Sequence, residues 1–147
     1  MQTECRDRQE YLLFPNHGRR LGAAAQAALA RFAGSAPDVQ LVVGDGLSPN
    51  AIVQHGAATL AAMQQALAQA SLSVGPLCFV KYARIAVADE IAVLTRARAS
   101  VILVGERPGL GTGDSLSVYI GVSPKIGQDN AEKNCISNVR PINITPK

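Results

Sequence analysis

Tryptophan is absent from this sequence, and aromatic residues make up only 4% of it. A core with so few rings has to be built from Ala, Val, Leu and Ile. Charged residues are also scarce, at 17%, against about 25% in an ordinary globular chain. The net charge of +3 is too small an excess to argue for a nucleic-acid partner. Three cysteines, Cys5, Cys78 and Cys135, are widely spaced and odd in number. That spacing excludes a disulfide framework and a zinc site built on paired ligands, and His17 and His55 do not make up the deficit. No apolar run approaches the roughly 18 residues of a membrane span. Residues 1–11 are polar and hold no apolar stretch of the kind that opens a secretory signal. The expectation is a cytoplasmic protein with neither membrane nor nucleic acid as partner.

What is present points to a folded domain. The 147 residues predict one domain, and 48% apolar composition is too high for a disordered chain. The charges are unevenly placed: residues 46–80 contain no Asp, Glu, Lys or Arg. This block holds Asn50, Gln54, His55, Gln64, Gln65 and Gln69, so it reads as a neutral surface or interface helix.

Along the chain, residues 1–11 read as irregular and Pro15-Asn16-His17-Gly18 as a turn. Helical spacing of Leu21, Ala25, Ala28, Leu29 and Phe32 predicts a helix from about Arg19 to Ala33. Asp38 to Val43 reads as a buried strand. Ser48 and Pro49 then suit the N-cap and first position of a helix reaching about Ser71. Leu77 to Tyr82 predicts a second strand. Ala88 to Ala97 predicts a third helix, with Asp89 and Glu90 in its first turn and Arg96 and Arg98 at its end, as the helix dipole favours. Val101 to Gly105 and Leu116 to Val122 read as further strands. Strands alternating with helices predict an α/β fold, a Rossmann-like three-layer arrangement with a mostly parallel sheet. Ligands of such sheets sit beyond the carboxyl ends of the strands. Three loops fall there: Gly44 to Ser48, Tyr82 to Ile85, and Gly105 to Gly111.

The glycine-rich loops fit no nucleotide motif. No Lys follows a glycine in the P-loop register, and Gly44-Asp45-Gly46 runs into Pro49 instead of a third glycine. Glu106, at a strand's carboxyl end, is a solvated loop carboxylate, a neighbour of Arg107, or an acceptor for a ligand's amides or hydroxyls. Asp45 carries the same ambiguity, with capping of the next helix as its rival role. Cys135 reads as a small packing residue, and no histidine near it in sequence supports a Cys–His hydrolase. His17 and His55 read as structural, and neither lies in the D-x-H-x-x-G pattern by which one class of corrinoid proteins supplies a histidine to cobalt. Arg19-Arg20 reads as a solvated helix start or a partner contact.

Five stretches together resemble a known family. They are Tyr11-Leu12…Pro15…Gly18-Arg19-Arg20-Leu21; Asp38-Val39-Gln40…Asp45-Gly46-Leu47-Ser48…Ala51-Ile52; Val80-Lys81-Tyr82-Ala83-Arg84; Val104-Gly105-Glu106-Arg107-Pro108-Gly109-Leu110-Gly111…Ser115-Leu116-Ser117; and Cys135-Ile136-Ser137-Asn138. Over about residues 7–139 the chain resembles the small (light) subunit of ethanolamine ammonia-lyase. The resemblance implies a lyase that uses adenosylcobalamin to convert ethanolamine to acetaldehyde and ammonia. It implies a large (β/α)8-barrel partner that holds the substrate, and a small subunit that covers the corrin ring. Cobalt keeps the cofactor's own dimethylbenzimidazole in this family, so the resemblance implies no protein metal ligand and no catalytic residue in this chain. By matched position it implies Ile85, Glu106 and Cys135 as cobalamin contacts, Glu106 as a hydrogen-bond acceptor and the other two through backbone or packing.

Against the family pattern the chain is short, and Phe14 and His17 depart from the usual wording of their segment. An N-terminal extension used in assembly and in targeting to a bacterial microcompartment is missing, and the match fades at Val139-Arg140. The expectation is therefore a copy truncated at both ends: an irregular segment 1–10, a Rossmann-like cobalamin-facing domain 11–139, and a divergent tail 140–147. A second reading stands beside it, a non-catalytic α/β remnant or interaction module that binds no cofactor.

Overall fold

In a computed structural model the described residues are 1–107 and 115–139. The Pro108–Gly111 part of the third predicted loop and the expected tail 140–147 lie outside them. The most apolar stretches form the centre of the sheet. β1 (Val39–Gly44) is buried along its whole length, and β3 (Ala99–Gly105) is buried from its second residue onward. β2 (Cys78–Val80) pairs with β1 on one side and β3 with β1 on the other, both parallel. Strands covered on both faces need apolar side chains pointing both ways, which is what these runs supply.

Beyond β3 the sheet changes character. β4 (Leu116–Val122) runs antiparallel to β3, and β5 (Asn134–Val139) antiparallel to β4, giving the order β2-β1-β3-β4-β5 among the described residues. The expected mostly parallel sheet is therefore mixed, two parallel pairings against two antiparallel. The physical reason is connection length: a parallel crossover needs about a dozen residues or more, usually a helix. The Glu106–Ser115 link is shorter than that and closes on itself, Glu106 N–H donating to the Ser115 carbonyl at 2.9 Å.

Helices cover both faces. On one side α2 (Ala23–Leu29) and α5 (Val87–Thr95) pack Ala25, Leu29, Val87, Ala88 and Ile91, together with Leu21 ahead of α2, against Val42, Val80, Ile102 and Val104. On the other, α3 (Pro49–Ala51), a π-helical stretch (Ile52–Gly56) and α4 (Ala57–Gln69) set Ala51, Ile52, Leu60, Met63 and Leu67 over Leu41, Val43, Leu103, Leu116 and Val118. Ser48 caps this helical run, its hydroxyl accepting from Ala51 N–H at 3.4 Å, with Pro49 in the first turn as expected.

Two segments depart from the sequence reading. The first eleven residues are irregular only as far as Asp7. α1 (Arg8–Leu13) is capped by Asp7, which accepts from Glu10 N–H at 2.8 Å, while the Glu10 carboxylate reaches back to Arg6 N–H. The arrangement is like a capping box, except that Glu10 returns to the N–H of the residue before the cap. Thr3 N–H donates to Lys81 carbonyl at 3.2 Å, so the chain lies along the outer edge of β2. The helix expected from Arg19 starts only at Ala23, because Leu21 is extended: it bridges Thr3 and its N–H donates to the buried Glu90 carboxylate at 2.7 Å.

Candidate functional site

The carboxyl ends of β1, β2 and β3 are tied together by their own loops. After β1 the chain turns through Gly46, whose φ of +59° is open chiefly to glycine. A side chain on Gly46 would run into the Gly105 carbonyl, and one on Gly105 into the Ser48 carbonyl, so two backbones pass where no Cβ fits. Leu47 N–H donates to Gly105 carbonyl at 2.8 Å. From α1, Arg8 reaches over and donates to the carbonyls of Gly46 and Leu47 at 2.8 and 3.0 Å. Asp45 accepts from the N–H groups of Tyr82 and Ala83 at 2.9 and 3.0 Å. It pins the turn after β2, where Tyr82 takes a φ of +58°, and leaves the cap of the next helix to Ser48.

That turn leads to Ile85, half-buried on the α5 side of the sheet. Glu106, half-buried, follows β3 directly. It takes its hydrogen bond from Tyr119 on β4, whose hydroxyl donates to Oε1 at 2.8 Å, and not from Arg107. Among the described residues Oε2 takes no hydrogen bond. Cys135 stands directly across from Tyr119 as its cross-strand partner on β5. Burial, then the hydrogen bond and the charge of Glu106, then Cys135, push the Tyr119 phenol well above its ordinary value. The phenol stays protonated and keeps donating.

Glu106 and Cys135 are therefore both neighbours of Tyr119, and Tyr119 packs on the same core as Ile85. Cys135 is exposed rather than a packing residue; Cys5 and Cys78 are buried, and burial raises the Cys78 thiol to about 11. The histidines stand elsewhere. His17 stacks on Phe14 and sits 3.3 Å from Glu10, and His55 lies in the π-helical stretch. Arg19 bonds Asn16 and Arg20 lies 3.9 Å from Glu90, so both remain outside the cluster. Among the described residues no three His, Cys, Asp or Glu side chains gather as a metal site, and no helix is long and apolar enough to cross a membrane.

Tyr119 is the group that sequence reading missed. The alternation of Leu116 to Val122 puts it on one face with Ser117 and Gly121, but only the pairing of β3, β4 and β5 brings it between Glu106 and Cys135.

The family model for the ethanolamine ammonia-lyase light chain (EutC) matches residues 1–147, beyond the 7–139 expected. The chain belongs to this family. The light-chain match is supported by individual relatives. An ethanolamine ammonia-lyase small subunit of Rhodopseudomonas palustris is 39% identical over 99% of this chain and 56% of that protein. One of Ralstonia nicotianae is 42% identical over 96% of this chain and 53% of its own length. One of Lachnoclostridium phytofermentans is 38% identical over 99% and 49%. The chain thus spans about half the length of the curated light-chain relatives it matches.

Proposed function

We propose that this chain is the cobalamin-facing part of an ethanolamine ammonia-lyase small subunit, with residues 11–139 as a Rossmann-like domain that covers and orients adenosylcobalamin against a large barrel subunit. The observation that carries the reading is that Glu106 and Cys135, far apart in sequence, both neighbour Tyr119, Glu106 through a hydrogen bond and Cys135 as its cross-strand partner. The donor set fits the group. A corrin periphery presents amide N–H donors, and Glu106 offers a carboxylate oxygen with no other bond among the described residues. Cys135 is exposed beside it and Ile85 adds an apolar contact.

The radical chemistry that turns ethanolamine into acetaldehyde and ammonia is supplied by adenosylcobalamin when bound. This chain's own contribution is binding and orientation. Glu106 would accept from the cofactor edge and Cys135 and Ile85 would contact it, while Asp45 with Arg8 holds the neighbouring loops in place. The neutral outer face of α4 is an assembly surface, free of the charges that would have to be desolvated on docking. The assembly works in the cytoplasm or inside a bacterial microcompartment.

Co-expression with a large subunit tests the reading. The expected result is a complex that retains cobalamin on gel filtration, with retention weakened by Glu106→Ala. A folded chain that never co-elutes with the large subunit would sink it, and unchanged retention in Glu106→Ala would remove Glu106 from the site.

A further inference from the structure

A carboxylate at the mouth of a loop turns about three side-chain bonds, and a ligand that must freeze them loses affinity. Glu106 is already fixed. Tyr119 approaches from β4 with its ring packed on the core beneath α5, and its hydroxyl lies 2.8 Å from Oε1. A phenol has one hydrogen to give. Given to Oε1, it sets the carboxylate plane and leaves Oε2 as an acceptor. Tyr119 is itself held by strand pairing on both sides, opposite Ile102 on β3 and opposite Cys135 on β5.

We propose that Tyr119 is the positioning residue of this site: its bond to Oε1 presents Oε2 of Glu106 as a pre-set acceptor, so that the site takes a cobalamin edge bearing amide N–H groups in preference to one bearing carboxylates. This rests on the cobalamin reading above. A fixed anionic acceptor gains a charge-assisted bond from an amide and repels an acid. Tyr119 touches the ligand only through Glu106.

The test is equilibrium dialysis of cyanocobalamin against the full chain assembled with the large subunit. Tyr119→Phe keeps the ring and removes the hydroxyl, and is expected to weaken binding roughly ten-fold without changing the melting of the assembly. In a Glu106→Ala background the same change is expected to cost nothing further, which a merely structural tyrosine would not show. Equal losses in both backgrounds, or no loss in the first, overturn the inference and leave the cobalamin reading standing. A wild-type assembly that binds no cyanocobalamin overturns that reading, and the inference with it. Should Tyr119→Phe fail to assemble, the tyrosine absorbance titration of the Glu106→Gln chain decides. One phenol titrating at lower pH than in the wild type supports the contact, and an unchanged titration overturns it.

Discussion

Helices α4 and α5 invert what their compositions suggest. α4 has 13 residues with no charge among them, and none of them is buried. α5 has 9 residues and carries Asp89 and Glu90, yet seven of its side chains are buried, both carboxylates included. The difference lies in what each helix offers its neighbours. α4 sets only Leu60, Met63 and Leu67 over the sheet and turns alanines and glutamines outward. α5 lies deeper, and its two acids are matched. Lys133 Nζ is 2.8 Å from Asp89 Oδ2 with both side chains 1% exposed, and Ser100 donates to Oδ1 at 3.0 Å. Gly121 leaves the space for this pair, since a Cβ there would stand 2.9 Å from the Ser100 hydroxyl and 3.6 Å from the Lys133 stem. Glu90 accepts from Leu21 N–H at 2.7 Å and from Gln26 at 3.0 Å. Burial is decided by partners, not by a count of charges.

The largest expected effect comes from breaking the buried pair. Asp89→Ala strands Lys133 without a counter-charge and should cost about 3–5 kcal/mol in urea unfolding, a large share of a domain's stability. Replacing the pair together, Asp89→Leu with Lys133→Met, should recover most of that loss, because the cost lies in the unpaired charge. A smaller effect is expected at Glu90. Glu90→Ala leaves Leu21 N–H unsatisfied and should cost about 1–3 kcal/mol by the same measurement. On α4 the effects should shrink. Leu67→Ala is expected to cost about 1 kcal/mol, below the roughly 2–5 of a fully buried leucine, because Leu67 is only partly buried. Gln65→Glu should change the melting free energy by less than about 0.5 kcal/mol. If the outer face of α4 is the assembly surface, the same change should reduce co-elution with the large subunit. A loss of stability at Gln65, or none at Asp89, would erase the contrast between the two helices.

The parts legible in the sequence are those written in local chemistry. Ser48-Pro49 gave the start of the α3–α4 run, and the apolar runs of β1 and β3 gave the sheet centre, because caps and two-sided burial leave patterns in neighbouring residues. β5 had no such pattern: five of its six residues are exposed, and it is a strand because its backbone pairs with β4. The acids of α5 were read as dipole partners in a first turn, which they are, but their burial depends on Lys133 and Leu21, remote in the chain. The place of Glu106 after a strand was legible but its bond to Tyr119 was not, and Asp45 proved to be a clamp on the turn after β2.

By itself the sequence determined the class of fold, the central strands, the family and the residues worth testing, since periodicity, capping and motif spacing are properties of short stretches. Only the tertiary structure decided the antiparallel half of the sheet, the buried Asp89–Lys133 pair and the placing of Tyr119 between Glu106 and Cys135. Each of these joins groups that no local pattern connects. A hydrogen bond between distant residues exists only once strand register has set the distance.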